Sequence, residues 1–249
     1  MEVALESNAF FLGIEYAAIF CCGMVGGLAA VRKGFDLFAI VLTAWMSALG
    51  GGIIRDVMLG SLPPVGIADR GFVLTALASG VAVAIIHPEV DHLKWSMIAF
   101  DALALGLFAV NGTSKAMMHH TSGMTAVFLG MFTALGGGLV RDMLLNEVPF
   151  VMRDKHWYAV PSAIGCVLTV FVGKAVNAGL LGLREEMILD MVIVATVVAL
   201  RLISVKFDLI VPGAVVRSHS YLPGEFRTLG RLRAGRGKKV DDSGNDITA

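Results

Sequence analysis

Two short stretches of this chain place an arginine and an aspartate about one helical turn after three consecutive glycines. They are SALGGGIIRD at residues 47–56 and TALGGGLVRD at residues 133–142, and both lie in otherwise apolar segments. An isolated charge inside a bilayer is costly, so each charged group there is expected to be paired or hydrated. We therefore take four residues as candidate pore-lining or charge-pair residues: Arg55, Asp56, Arg141 and Asp142.

The pairing of these charges has three interpretations. Neighbours on an α-helix point about 100° apart, so Arg55 and Asp56 are not expected to face one point. We predict instead that the charges pair between the two stretches, Arg55 with Asp142 and Arg141 with Asp56. In a second interpretation the arginines bond carbonyl groups of the glycine region and the aspartates line a water path. The third is a buried ion-pair staple with no part in transport.

The glycine triplets also admit more than one role. A break in the helix at a triplet would leave carbonyl oxygens at the end of one half-helix and N–H groups at the start of the next. Such carbonyl oxygens suit a dehydrated cation, as in selectivity filters. A glycine face can also simply let two helices pack closely. Two copies, each followed by Arg–Asp, favour a pore role for Gly50, Gly51, Gly52, Gly136, Gly137 and Gly138.

The elements that carry these residues are predicted to be membrane helices. Hydrophobic residues make up 56% of the 249 and charged residues 16%, and the mean hydropathy is +0.77. A soluble domain of this length needs more polar surface, so we predict an all-α integral membrane protein. A helix of about 20 apolar residues spans a bilayer. The runs between turn signals predict seven transmembrane helices, at about 9–31, 37–59, 71–87, 95–112, 122–146, 157–176 and 187–206.

The two glycine stretches belong to an internal repeat. Residues 47–63 laid over 133–149, an offset of 86, match at A, L, G, G, G, R, D, L and P. The copies lie in spans 2 and 5, so one repeat is three spans long and the second copy enters the membrane in the opposite direction. Inverted repeats of this kind are typical of transport proteins. The predicted transmembrane domain, 1–206, therefore comprises repeat 1 (about 9–87), repeat 2 (about 95–176) and a seventh helix (about 187–206).

Basic residues after the last span predict the orientation of the chain. Their excess places the carboxy terminus in the cytoplasm and the amino terminus outside. The tail at 207–249 is polar and basic, and we expect it to be disordered. Its charges suit either anionic lipid headgroups or simple positive-inside anchoring.

Other ionisable residues lie in or near the spans. Asp101 and Lys115 are candidate vestibule residues at the two ends of span 4, although Asp101 equally suits a helix end that reaches the interface. Glu15 and Asp190 are expected to be interfacial or paired. Arg201 is expected to extend to the cytoplasmic interface.

Enzymatic and metal chemistry are not expected. The chain has no Ser/His/Asp constellation, HExxH motif or phosphate loop. His119 and His120 follow two methionines, but a histidine pair in a loop is far more often only a loop. We predict no metal and no cofactor, with potassium as a transported ion only.

The doubled GGGIIRD and GGGLVRD motifs, in a plan of three plus three plus one helices, resemble the prokaryotic branch of the trimeric intracellular cation (TRIC) channel family. AVRKGFDLFAI after span 1 and DALALGLFAVNGTSKAM in span 4 resemble that branch too, and the likeness covers about residues 10–205. It implies a homotrimer in which each protomer has a pore between kinked spans 2 and 5 that passes monovalent cations, mainly potassium. At matching positions the glycines form the kinks, the charged residues lie near the constriction, and Ser47 and Thr133 offer hydroxyl groups to the path.

The resemblance leaves a second class of function open. Export of glycine or similar small amino acids is attributed to some bacterial members, and an exporter working by alternating access also needs discontinuous helices. A channel instead needs a continuous hydrated path with weak sites. A structural trimer without transport is the third hypothesis. The expected partners are copies of the chain and membrane lipids, with no nucleic acid, in a prokaryotic inner membrane.

Overall fold

The structure, a computed structural model, describes residues 9–86, 90–153 and 156–209, apart from the side chains of residues 90–95. These residues form nine α-helices and no β-strand, in agreement with the all-α prediction. The tail predicted to be disordered lies outside the described residues from residue 210 onward. The helices are α1 (Ala9–Arg32), α2 (Leu37–Leu59), α3 (Val65–Ala68), α4 (Arg70–Ile86), α5 (Val90–Met118), α6 (Gly123–Leu144), α7 (Phe150–Arg153), α8 (Ala159–Asn177) and α9 (Leu183–Lys206).

Six of these helices are long and apolar enough to cross a membrane: α1, α2, α5, α6, α8 and α9. The remaining predicted span, 71–87, corresponds to α4, an apolar helix of 17 residues. Observed and predicted bounds agree to within about a turn, with one exception. Helix α5 continues beyond the predicted end at residue 112 to Met118, so Lys115 lies within the helix.

Helices α2 and α6 both begin with a side-chain N-cap. Asp36 Oδ1 accepts a hydrogen bond from the Ala39 N–H at 2.8 Å, and Ser122 Oγ accepts one from the Thr125 N–H at 3.1 Å. Each cap satisfies an N–H group that has no partner within its helix. The two caps are 86 residues apart, so both glycine motifs start at the same distance from the beginning of their helices.

The two glycine motifs lie where α2 and α6 cross. A Cβ added at Gly51 would overlap the carbonyl oxygen of Thr133, and one added at Gly137 would overlap that of Ser47. Residue numbers rise along one helix as they fall along the other, so the helices are antiparallel. The two contacts are also equivalent under the 86-residue offset. The repeat seen in the sequence is therefore a repeat in the packing as well.

The predicted helix break at the glycines is wrong. Both α2 and α6 are continuous α-helices through their triplets. A continuous helix satisfies its own backbone groups, whereas a break in an apolar environment needs other partners for them. The glycines instead supply close packing, because without a side chain they let two backbones touch.

The contacts between loops show how α4 connects the bundle. Arg32 at the end of α1 has its Nη1 3.4 Å from the Met97 Sδ near the start of α5. Since α2 runs from this end of the bundle to the other, the chain returns along α4 before α5 begins. Lys33 directly follows α1, and its Nζ lies 2.8 Å from Oε1 of Glu147, which lies in the loop after α6. The α1–α2 and α6–α7 loops therefore share one end of the bundle.

Candidate functional site

The first charged cluster consists of Glu15, Arg55, Asp56 and Lys115, on α1, α2 and α5. Arg55 Nε donates a hydrogen bond to Asp56 Oδ1 at 2.8 Å, and its Nη2 lies 3.6 Å from Glu15 Oε1. Lys115 Nζ lies 3.3 Å from Asp56 Oδ1. Asp56 is fully buried, and its Oδ2 accepts a hydrogen bond from the Val65 N–H at 3.0 Å. One carboxylate therefore joins α2 to α5 and to the start of α3.

The second charged cluster repeats this arrangement with Asp101, Arg141 and Asp142, on α5 and α6. Arg141 Nε donates a hydrogen bond to Asp142 Oδ1 at 2.8 Å, and its Nη1 lies 3.8 Å from Asp101 Oδ1. Asp142 Oδ2 accepts a hydrogen bond from the Phe150 N–H at 2.6 Å, at the start of α7. Asp101 is thus the counterpart of Glu15, and the two residues are separated by the same offset of 86 as the rest of the repeat.

The predicted pairing of charges between the repeats is wrong. Each arginine bonds the aspartate that follows it, because its side chain is long enough to fold along the helix onto the neighbouring carboxylate. The third glycine of each triplet lies beside the arginine side chain where it folds back along the helix. A Cβ added at Gly52 would lie 3.8 Å from Arg55 Nη2, and one at Gly138 would lie 3.7 Å from Arg141 Nη2. The antiparallel crossing places the two clusters on opposite sides of the glycines.

The two clusters differ in the second cation that each one holds. The first has Lys115, whose counterpart under the offset is the apolar residue Ala29. Beside the second cluster lies Arg201 of α9, which is outside the repeat. Its guanidinium lies 4.7 Å above the Tyr158 ring and its Nη1 donates a hydrogen bond to the Trp157 carbonyl at 3.1 Å.

Two ionisable residues of α9, Asp190 and Arg201, differ in part from what the sequence predicts for them. Arg201 is buried against aromatic rings instead of extending to the interface, because α9 packs on the second repeat at this point. Asp190 is buried too, and neither of its carboxylate oxygens has a hydrogen-bond partner. Asp190 is therefore not paired within the described residues, whereas its position at the membrane interface stays a prediction. Glu15, in contrast, is paired with Arg55.

Ser47 and Thr133, predicted to offer hydroxyl groups to the path, are buried at the crossing. Ser47 Oγ lies 3.4 Å from Cys22 Sγ, and Thr133 Oγ1 donates a hydrogen bond to the Leu129 carbonyl at 2.7 Å. Both hydroxyl groups are thus in contact with partners inside the bundle.

Cavities open beside both clusters, and two of them have the outer carboxylates, Glu15 and Asp101, in their walls. Cavity A, of about 200 Å³, is lined by residues that include Glu15, Asn111 and Lys115. Cavity B, of about 240 Å³, is lined by residues that include Asp101 and Arg141. The side chains of Glu15 and Asp101 are 18% and 16% exposed, against 0% for Asp56. Within the two clusters, the carboxylates that a solute in cavity A or B can reach are therefore Glu15 and Asp101, whereas Asp142 borders another cavity together with Arg141.

Sequence reasoning missed three parts of these clusters. The offset of 86 already relates Glu15 to Asp101 in the sequence, but they lie outside the stretch whose residues match. The helices α3 and α7 were treated as loops, although each begins directly after a proline, Pro64 or Pro149. Tyr158 was not singled out, and its hydroxyl donates a hydrogen bond to Asp101 Oδ1 at 3.1 Å.

The histidine pair lies in the turn after α5, at residues 119 and 120. Within the described ranges, no group of three or more His, Cys, Asp or Glu side chains is placed to hold a metal ion. The Glu147 carboxylate, beyond the end of α6, accepts a bond from the Lys33 ammonium, and this lowers the pKa of Glu147.

Together these features define a multi-pass membrane protein built from an inverted repeat. A family model described as "Glycine transporter" matches the chain twice, at residues 12–88 and 98–174, again 86 residues apart. The chain belongs to this family. A relative called "UPF0126 membrane protein", from Deinococcus radiodurans, is 34% identical over 153 residues, which are 61% of this chain and 71% of the relative.

The fold is that of solved TRIC channels. A TRIC cation channel studied for the structural basis of conductance matches with a TM-score of 0.69 and 28% identity, over 80% of this chain and 95% of that channel. The TRIC trimeric intracellular cation channel orthologue from Rhodobacter sphaeroides matches with a TM-score of 0.71 and 26% identity, over 80% and 98%. These neighbours are channels and not enzymes.

Proposed function

We propose that each protomer is a monovalent cation channel, with a path along α2 and α6 that passes their glycine crossing and runs from cavity A to cavity B. The observation that carries this proposal is the position of Glu15 and Asp101. Glu15 lines cavity A, together with Asp69, and Asp101 lines cavity B. Glu15 and Asp101 are equivalent under the repeat and lie on opposite sides of the glycine crossing. Carboxylates at the two mouths of a path raise the local concentration of cations.

In this proposal the Arg–Asp pairs hold the path open at a fixed width. Asp56 and Asp142 each accept hydrogen bonds from an arginine and from the backbone N–H group at the start of the next short helix, so they position α2 and α6. The formal charges of the first cluster, two carboxylates and two cations, sum to zero. The preference for cations, and for potassium among them, therefore rests on the likeness to TRIC cation channels and on the two exposed carboxylates.

A glycine-like exporter is the second candidate, and two observations favour it. The family model is described as a glycine transporter. Each cluster also offers a carboxylate for an ammonium group beside a guanidinium for a carboxylate, which matches the charges of a zwitterion. An exporter would bind glycine at one cluster at a time and would not pass a continuous current.

Reconstitution separates the two candidates. Purified protein in a planar bilayer under a potassium gradient is expected to give unitary currents that reverse near the potassium equilibrium potential. The same preparation in liposomes is expected to show no saturable counterflow of labelled glycine. Silence in the bilayer together with glycine counterflow would reject the channel and establish the exporter. An absence of both activities would support a purely structural protein.

We further propose seven membrane crossings, a homotrimer with one pore in each protomer, and a bacterial inner-membrane location among lipids that surround the trimer. The loop contacts support the seventh crossing, because α4 joins opposite ends of the bundle. Native mass spectrometry tests the trimer. The expected mass is three times that of the 26.3 kDa chain, and a monomer under mild detergent would contradict it.

A further inference from the structure

A third cavity, which we name cavity C, lies between the carboxy-terminal ends of α5 and α8 and the first turns of α9. It has a volume of about 210 Å³, and its polar lining residues are Ser114, His120, Thr169, Asn177, Glu186 and Asp190. The rest of its wall is mostly apolar and includes Phe11, Met117, Met118, Val172 and Val176. Cavity C adjoins cavity A, with which it shares Phe11, Ser114 and Met118, but Glu186 and Asp190 line cavity C and not cavity A.

Two carboxylates from α9 face cavity C. Glu186 and Asp190 are four residues apart, so they share one face of the helix. Asp190 is 1% exposed, and neither of its oxygens has a hydrogen-bond partner in the structure. Burying a carboxylate without a partner is costly, and each such group in a native protein needs an explanation, of which a bound cation is one.

The chemistry of the walls decides which cation suits cavity C. A bare metal ion of the calcium type takes six or more oxygen ligands. Within the described residues, Glu186 and Asp190 are not joined by a third His, Cys, Asp or Glu side chain placed to hold a metal ion, and the wall is otherwise mostly apolar. A cation with an apolar body needs fewer oxygens, and the Phe11 ring adds a face that attracts cations.

The size of cavity C agrees with a small organic molecule. An apolar cavity of about 150 Å³ in another protein holds a benzene molecule. A volume of about 210 Å³ therefore has room for an ammonium group on a short alkyl chain. We propose that cavity C binds an organic ammonium cation, whose charge lies between Glu186 and Asp190 and whose alkyl chain packs on the apolar wall.

Thermal unfolding of the purified full-length protein tests this binding. Butylammonium chloride is expected to raise the unfolding temperature more than potassium chloride at equal ionic strength. Butanol, which has a similar body without the charge, is expected to have no such effect. Equal shifts with butylammonium and potassium would overturn the proposal, because the site would then not recognise the organic cation.

Variants locate the effect in cavity C. In Asp190→Asn we expect affinity for butylammonium, measured by calorimetry, to fall about tenfold or more, because a charged partner is lost. The variant itself is expected to fold well, since it removes a buried unpartnered charge. Glu186→Gln gives a second test should Asp190→Asn not fold. Glu185→Gln, at an exposed neighbouring position, is the matched control. Unchanged affinity in the variants that fold would reject the site.

This test does not depend on the ion path. Binding is measured without any flux, so the loss of currents in the channel experiment and the loss of butylammonium binding are separate results.

Discussion

At the scale of single residues, the position of a carboxylate in the cluster decides its role. Asp56 contacts two cations and a backbone N–H group and is closed off from the cavities, whereas Glu15 lies at the wall of cavity A. Arg55 contacts both carboxylates. In the second cluster, Asp101 lines cavity B and is 16% exposed, whereas Asp142 is 6% exposed and borders a different cavity. We therefore expect substitutions at the two kinds of carboxylate to have different consequences.

Asp56→Asn is expected to lower the free energy of unfolding by about 3–5 kcal/mol, because it leaves Arg55 and Lys115 buried without their shared carboxylate. Asp142→Asn is expected to cost less, because no lysine corresponds to Lys115 in that cluster. Denaturant unfolding in detergent measures both. Equal and small losses would show that the aspartates are not the anchors that the contacts indicate.

Glu15→Gln and Asp101→Asn are expected to leave the protein folded and to reduce the unitary potassium conductance severalfold at low salt. The reduction should shrink as salt rises, since the attraction of ions to an exposed charge is screened over about 10 Å at 0.1 M. Single-channel recording over a range of potassium concentrations measures this effect. Glu185→Gln serves as the control, and an equal loss there would point to a general effect of charge.

At the scale of the helices, the middle and third glycines of each triplet have different surroundings. The middle glycines, Gly51 and Gly137, meet a carbonyl oxygen of the opposite helix, so they set the distance between α2 and α6. The third glycines, Gly52 and Gly138, lie beside guanidinium groups with ordinary van der Waals room. A methyl group added at these two kinds of position should therefore act differently.

Gly51→Ala and Gly137→Ala are each expected to destabilise the protein by about 1–3 kcal/mol, because the methyl group must displace a backbone carbonyl. Gly52→Ala is the matched control. It is expected to be neutral or to stabilise by up to about 1 kcal/mol, the gain in helix propensity over glycine. Thermal unfolding of the three variants checks the order. Equal effects at Gly51 and Gly52 would contradict the proposed crossing.

The sequence predicted the helices well and their contacts poorly. Span lengths follow from the thickness of a bilayer, so long apolar runs in the residue order predict the helices. The Arg55–Asp56 bond was missed because helix geometry gives the direction of a Cβ but not how far a flexible arginine folds back. The burial of Arg201 was missed because it depends on where α9 packs, which no local pattern encodes.

At the scale of the whole molecule, the inverted repeat makes a prediction about the two faces of the membrane. Ser61 and Glu147 are equivalent under the offset, yet the loop contacts place Glu147 at the same end as Lys33. With the proposed orientation, a cysteine at Ser61 faces outside and one at Phe35 or Glu147 faces the cytoplasm. The three natural cysteines are buried, so they are expected to add little to the labelling by a thiol reagent.

Labelling of intact cells with a membrane-impermeant thiol reagent tests this orientation. Ser61→Cys is expected to react, whereas Phe35→Cys and Glu147→Cys are expected to react only after the cells are opened. The reverse pattern would show that the protein has the opposite orientation in the membrane, with the same fold. Labelling of Ser61→Cys and Glu147→Cys from the same side would contradict the inverted repeat itself.

The unequal second cations of the two clusters have a consequence for the direction of flow. A pore whose halves were related by perfect two-fold symmetry would pass the same current under either sign of voltage. Lys115 stands beside one cluster where the other has Ala29 as its counterpart, and Arg201 comes from a helix outside the repeat. We therefore expect a rectifying current, and Lys115→Met is expected to change the ratio of inward to outward conductance more than it changes their sum.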